Sequence, residues 1–154
     1  MLVNFACKTD KTNPKNMYIA VVVLDDNDKG KTIYTETIEY KIPDCGGKYW
    51  GTLKACKHIL NVLNKLLDNR QIKRGEYIKI ALPSTVMLGW LEKGRAVEPY
   101  RYAFDKLICL YETCGFDIEF ILEKKNFNRA KFYADKKYVK VEKYQNFLEA
   151  YANM

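Results

Sequence analysis

What this 154-residue chain lacks narrows its chemistry. It has a single histidine, His58, and its five cysteines, at 7, 45, 56, 109 and 114, form no C-x-x-C pair. Zinc-site spacing is therefore missing, and the expectation is no metal and no cofactor. No apolar run approaches the ~20 residues of a membrane helix. The opening residues "MLVNFACKTDKTN" carry no apolar signal-like region. These features predict a cytoplasmic protein with reduced thiols and no membrane partner. Acidic residues are missing from three stretches: Cys45 to Leu67, Tyr77 to Leu91, and Lys124 to Ala134.

Cations are in surplus. Lys and Arg total 26 against 19 Asp and Glu, for a formal net charge of +7. Such a balance favours an anionic partner: nucleic acid, an anionic membrane or an acidic protein. About half the residues are hydrophobic, enough for one real core. No internal repeat or linker divides the sequence, so we expect a single domain over 1–154. Residues 138–154 form a helical, basic-aromatic C-terminal extension of it.

Periodicity assigns the elements. "LVNFAC" (2–7) alternates as a strand, and "KTDKTNPKN" is a loop punctuated by Asn13-Pro14. The β-branched run "MYIAVVVL" (17–24) predicts a buried strand. A hairpin turn over 25–31 follows, with Gly30 free to take positive φ. In 32–42 the face of Tyr34, Glu36, Ile38, Tyr40 and Ile42 should meet the core. Residues 52–68 predict a helix capped by Thr52, with Cys56, Ile59, Leu60, Leu63, Leu66 and Leu67 in one stripe. Then come a strand (76–82), a short helix from Ser84 to Gly94, a helix over 98–115 closed by Gly115, and a strand (116–122). The apolar face of the 98–115 helix is Ala103, Phe104, Leu107, Leu110 and Tyr111. "NRAKFYADKK" opens a last helix. The order predicts an α/β fold. Its mixed five-stranded sheet has three antiparallel strands and then two parallel strands joined by right-handed crossovers, with helices on its faces.

That order resembles the ribonuclease H-like fold. "NFACKTDKTNPKNMYIAVVVL" is similar to the family's first strand, turn, Asn-Pro loop and second strand. "LKACKHILNVL" resembles its Glu-bearing helix. "IKIALPSTVMLGWL" resembles its fourth strand and the turn into the next helix, and "NRAKFYADK" its final Ala-Asp-x-x-Ala helix. The resemblance implies four carboxylates holding two magnesium ions, which activate water to cleave an RNA strand. Position by position it places them on Cys7, Lys54, Pro83 and Lys131, none of which is a carboxylate. The acid-free stretches mean that no shift of the first helix or fourth strand restores an acid there. Asp10 and Asp135 are the nearby acids, and two such groups make a poor magnesium site.

The resemblance thus implies a catalytically inactive ribonuclease H-like domain that binds nucleic acid through a basic surface. The alternative is a protein-interaction or inhibitor module on the same fold, such as a viral or accessory inhibitor with an acidic partner. An active enzyme using Asp10 and Asp135, or Cys7 as nucleophile, is the third and weakest reading. Lys54 and Lys131 would either hold a phosphate at the vacated site or be solvated lysines. Lys136, Lys137, Lys140 and Lys143, interleaved with Tyr138 and Tyr144, form either a nucleic-acid strip or a packed amphipathic segment. Lys8, Lys11 and Lys15 lie on a loop near the same edge. His58 is expected to be a half-exposed helix residue. Trp50 and Trp90 are expected to be packing residues.

Overall fold

Every residue from Met17 to Leu24 is buried, as a β-branched run covered on both faces should be. This run lies in the second strand of a five-stranded sheet. A computed structural model describes residues 1–25, 30–124 and 128–135. The strands are β1 (Leu2–Thr9), β2 (Asn16–Asp25), β3 (Lys31–Lys41), β4 (Tyr77–Leu82) and β5 (Asp117–Leu122). The helices are α1 (Trp50–Asp68), α2 (Thr85–Lys93), α3 (Arg101–Glu112) and α4 (Ala130–Asp135). The sheet order is β3-β2-β1-β4-β5. β1, β2 and β3 pair antiparallel, while β4 joins β1 and β5 joins β4 in parallel. This is the mixed sheet that the sequence predicts. Lys136, Lys137, Tyr138, Lys140, Lys143, Tyr144 and the whole 138–154 extension lie outside the described residues, as does the Asp135 side chain. No described helix is long and apolar enough to cross a membrane.

Strand alternation splits the core in two. Val3, Phe5, Ile19, Val21 and Val23 face α1 and α3, meeting Ile59, Leu63, Leu66 and Phe104. Ala20, Val22 and Leu24 face the other way and are covered by Ala130, Tyr133 and Ala134 of α4. β3 presents Tyr34, Ile38 and Tyr40 to the larger core, on the face that its alternation predicts. Glu36 shares that face. His58 Nε2 lies 2.8 Å from its Oε2, and Lys65 Nζ donates to its Oε1 at 3.1 Å. His58 is therefore buried rather than half-exposed, because α1 turns it toward a carboxylate on β3.

Three boundaries differ from the sequence reading. α1 begins at Trp50, so Thr52 lies inside the helix and is not its cap. Aromatic packing sets this start. Trp50 and Tyr100 have ring centroids 4.9 Å apart, Tyr49 and Trp90 5.5 Å, and the Tyr49 amide donates to Tyr100 Oη at 3.2 Å. α3 begins at Arg101 and ends at Glu112, where Thr113 Oγ1 donates back to the Cys109 carbonyl at 3.1 Å. Gly115 is thus not its terminator. Leu110, expected on the buried face of α3, is 43% exposed.

Asn4 is fully buried on the α4 side of β1, and neither of its amide atoms has a hydrogen-bond partner among the described residues. A buried polar group left unpaired costs about 1–3 kcal/mol. Asn4→Val should therefore raise stability by about 1–3 kcal/mol, read as a higher urea midpoint with an unchanged slope. A lower midpoint would show that the amide is satisfied.

Candidate functional site

β1, β4 and β5 run parallel, so their carboxyl ends share one edge of the sheet. Sites in such sheets form at that edge. Here it carries Cys7 near the end of β1, Pro83 just after β4 and Glu123 just after β5. The chain then returns through Asn128 into α4. The buried Asn128 amide joins three parts of the fold. Its Nδ2 donates to the Phe5 carbonyl at 2.8 Å and to Glu123 Oε2 at 2.7 Å. Its Oδ1 accepts from the Ala130 amide at 2.9 Å, which caps α4. The other Glu123 oxygen faces Lys131 Nζ at 3.4 Å. Glu123 is 14% exposed and Lys131 61% exposed. The lysine thus has an acidic partner within its own chain. Next to this cluster, Arg129 Nη1 donates to the Gly30 carbonyl and ties the β2–β3 hairpin to the start of α4.

The α1 residue that meets Cys7 is Gly51. A Cβ on Gly51 would lie 3.1 Å from Cys7 Sγ and 2.5 Å from Met17 Sδ. Lys54 follows one turn later on α1. Its ammonium sits over the Tyr40 ring, 5.8 Å from the centroid, and lines a groove between α1 and α3. Cys7, Pro83 and Lys131 share the sheet edge, and the Lys54 ammonium lies over Tyr40, the cross-strand partner of Met17. Cys7 is exposed as a residue, yet the groups crowding its thiol desolvate it and push its pKa up to about 12. Burial raises Cys56 as well. A thiol so shifted is not a thiolate at neutral pH, which removes support for Cys7 as a nucleophile.

These side chains do not fit a magnesium pair, which needs several hard oxygen ligands in near-octahedral geometry. Among the described residues the edge offers a thiol, a glycine, a proline and an ammonium, and both oxygens of Glu123 are engaged. Among the described residues no three His, Cys, Asp or Glu converge on a point. Asp10 is taken up by its own loop. It accepts from the Thr12 amide at 3.0 Å, from Thr12 Oγ1 at 2.9 Å and from Tyr18 Oη at 3.2 Å.

No family model matches the chain, and no curated protein matches its sequence. Solved structures do. LC11-RNase H1, isolated from compost by a metagenomic approach, aligns with a TM-score of 0.54 at 17% identity, over 88% of this chain and 89% of its own. The fold is ribonuclease H-like. LC11-RNase H1 in complex with an RNA/DNA hybrid aligns with a TM-score of 0.54 at 16% identity, over 88% of this chain and 94% of its own. The N-terminal ribonuclease H domain of rv2228c from Mycobacterium tuberculosis aligns at 0.47 with 12% identity, over 88% and 87%.

Several residues of this ribonuclease H-like domain escaped the sequence reading. Glu123 and Asn128 are two, although an Asn two residues before a helix is a recognisable cap signal. Lys93, Arg95 and Arg101 are three more. All are exposed, and they ring a notch of about 370 Å³ floored by Trp90, where Glu98 offsets Arg101 at 3.6 Å. Lys8, Lys11 and Lys15 are exposed on and beside the β1–β2 loop, as predicted for that loop.

Asn128→Ala removes the α4 cap and two buried hydrogen bonds, one of them to a carboxylate. We expect a loss of about 2–4 kcal/mol in chemical denaturation. Asn128→Asp should cost at least as much, since it sets a second carboxylate against Glu123. A loss below about 0.5 kcal/mol for both would show that Asn128 is not the joint described.

Proposed function

We propose that this ribonuclease H-like domain binds nucleic acid through backbone phosphates and does not cleave it. The observation that carries the proposal is the Lys131–Glu123 pair, at the position where the resemblance places the last metal-binding carboxylate. An ammonium there repels a divalent cation and takes up the Glu123 carboxylate. The Cys7–Gly51–Met17 contact supports the same reading, because a bulky acidic side chain on Gly51 would displace Met17. A solved structural neighbour carries an RNA/DNA hybrid, which gives nucleic acid priority among anionic partners.

The contacts proposed are electrostatic. Lys8, Lys11 and Lys15 lie on one side of the carboxyl edge, with the exposed flank of Lys131 beside the Glu123 pair. The Lys93, Arg95 and Arg101 notch supplies a second cationic group. Lys136, Lys137, Lys140 and Lys143, with Tyr138 and Tyr144, extend the proposal from sequence alone. Long, solvated lysines hold phosphates without reading base edges, so binding should be largely sequence-independent.

Two measurements on the full chain test this. Affinity for duplex, hybrid or single strand should fall at least about tenfold between ~50 and ~200 mM salt. An RNA/DNA hybrid should stay intact with magnesium or manganese present. Absence of binding at low salt would overturn the first half of the proposal. Metal-dependent cleavage lost on Asp10→Asn would overturn the second.

A further inference from the structure

A second concavity is mostly apolar and lies between helices rather than at the strand ends. α1 and α3 pack side by side on the sheet, and between their outer faces runs a groove of about 760 Å³. Leu53 and Leu107 form its buried floor. Tyr40 and Trp50 stand on one side, and Tyr102 and Leu110 on the other. Lys54, Lys57 and Lys106 line its rim, with Asp105 the one acid among them.

Two features of the lining restrict its ligand. Tyr102 is 71% exposed and Leu110 43% exposed, on a helix whose opposite face holds the fully buried Phe104. The aromatic rings also carry cations. Lys106 Nζ lies 4.7 Å from the Tyr102 centroid and Lys54 Nζ 5.8 Å from that of Tyr40. The Trp50 indole N–H is already given to the Gly46 carbonyl at 2.7 Å, so its ring offers the groove an apolar surface. A matching ligand has a flat apolar body and a negative charge on a short tether. An unpaired nucleotide has both. An acidic amphipathic helix fits less well, since its apolar face needs a stripe of aliphatic anchors, whereas the buried floor here is Leu53 and Leu107 between tyrosine rings.

We propose that this groove seats unpaired bases of a single-stranded nucleic acid. Tyr102 and Tyr40 stack on the bases, and Lys54, Lys57 and Lys106 hold the flanking phosphates. The inference rests on the nucleic-acid reading above and adds a strand preference to it. A base inside a duplex cannot reach these rings, so the groove distinguishes single strands from duplexes where the lysines of the carboxyl edge do not. It also gives Lys54 a role in place of the one that the resemblance suggested.

The test is fluorescence anisotropy on the full chain at low salt, with a labelled oligothymidylate and a labelled duplex of matched length. The single strand should bind more tightly. Tyr102→Ala, at an exposed site, should keep the far-UV spectrum and melting temperature while weakening the single strand about tenfold or more and the duplex less than about twofold. Lys54→Gln with Lys106→Gln should weaken the single strand and flatten its salt dependence. Wild-type single-strand affinity in both variants would overturn the groove and leave nucleic-acid binding intact. No binding of either probe by the wild type would overturn both. Capture of an acidic amphipathic peptide, lost in Tyr102→Ala while single-strand affinity holds, would assign the groove to a protein partner and overturn the proposal.

Discussion

The Asn128 side-chain amide holds the carboxyl edge of the sheet together. It bonds to β1 at Phe5, to the end of β5 at Glu123 and to the first turn of α4 at Ala130. The described part of α4 is six residues, Ala130–Asp135. Its place over Ala20, Val22 and Leu24 depends on this seat and on the Arg129 tie to the hairpin. The amide also keeps Glu123 tolerable. A hydrogen bond to a charged group is worth about 1.5–3 kcal/mol, whereas an ion pair to an exposed lysine contributes about 1 kcal/mol or less. Asn128 thus fixes the carboxylate, and Lys131 mainly balances its charge.

That arrangement carries through to chemistry. Glu123 spends one oxygen on Asn128 and faces Lys131 with the other, which leaves poor access for a hard cation. Across the edge, Cys7 and Met17 crowd the position of a Gly51 side chain with sulfur and hydrocarbon. On the proposed reading, exposed cations hold the anion. They divide between loops around the carboxyl edge and the aromatic groove between α1 and α3. The first group suits phosphates on any backbone, and the second suits a base free to leave its stack. On the proposed reading, the ribonuclease H-like scaffold offers surface rather than catalysis.

Much of the sheet was legible because its signals are local. The β-branched run of β2 and the alternation of β3 each announce a strand and its inner face, and the helices between later strands force parallel pairing. What escaped depended on contacts distant in sequence. α1 starts at Trp50 because Tyr100, fifty residues on, packs against it. His58 is buried because Glu36 waits on β3. Periodicity marks the α1 stripe, but only the packed fold shows that Gly51 is the α1 residue against Cys7 and Met17. Glu123 sits one residue before the acid-free stretch beginning at Lys124, and its meeting with Lys131 is visible only in the fold.

The central claim is that this edge does not bind divalent metal. Manganese(II) titration of the labelled full chain, followed by paramagnetic broadening of backbone amides, tests it most directly. The account predicts weak, diffuse, non-saturating broadening at surface acids, with no focus on Cys7, Gly51, Glu123 and Lys131. Saturable broadening centred on those four residues would contradict it.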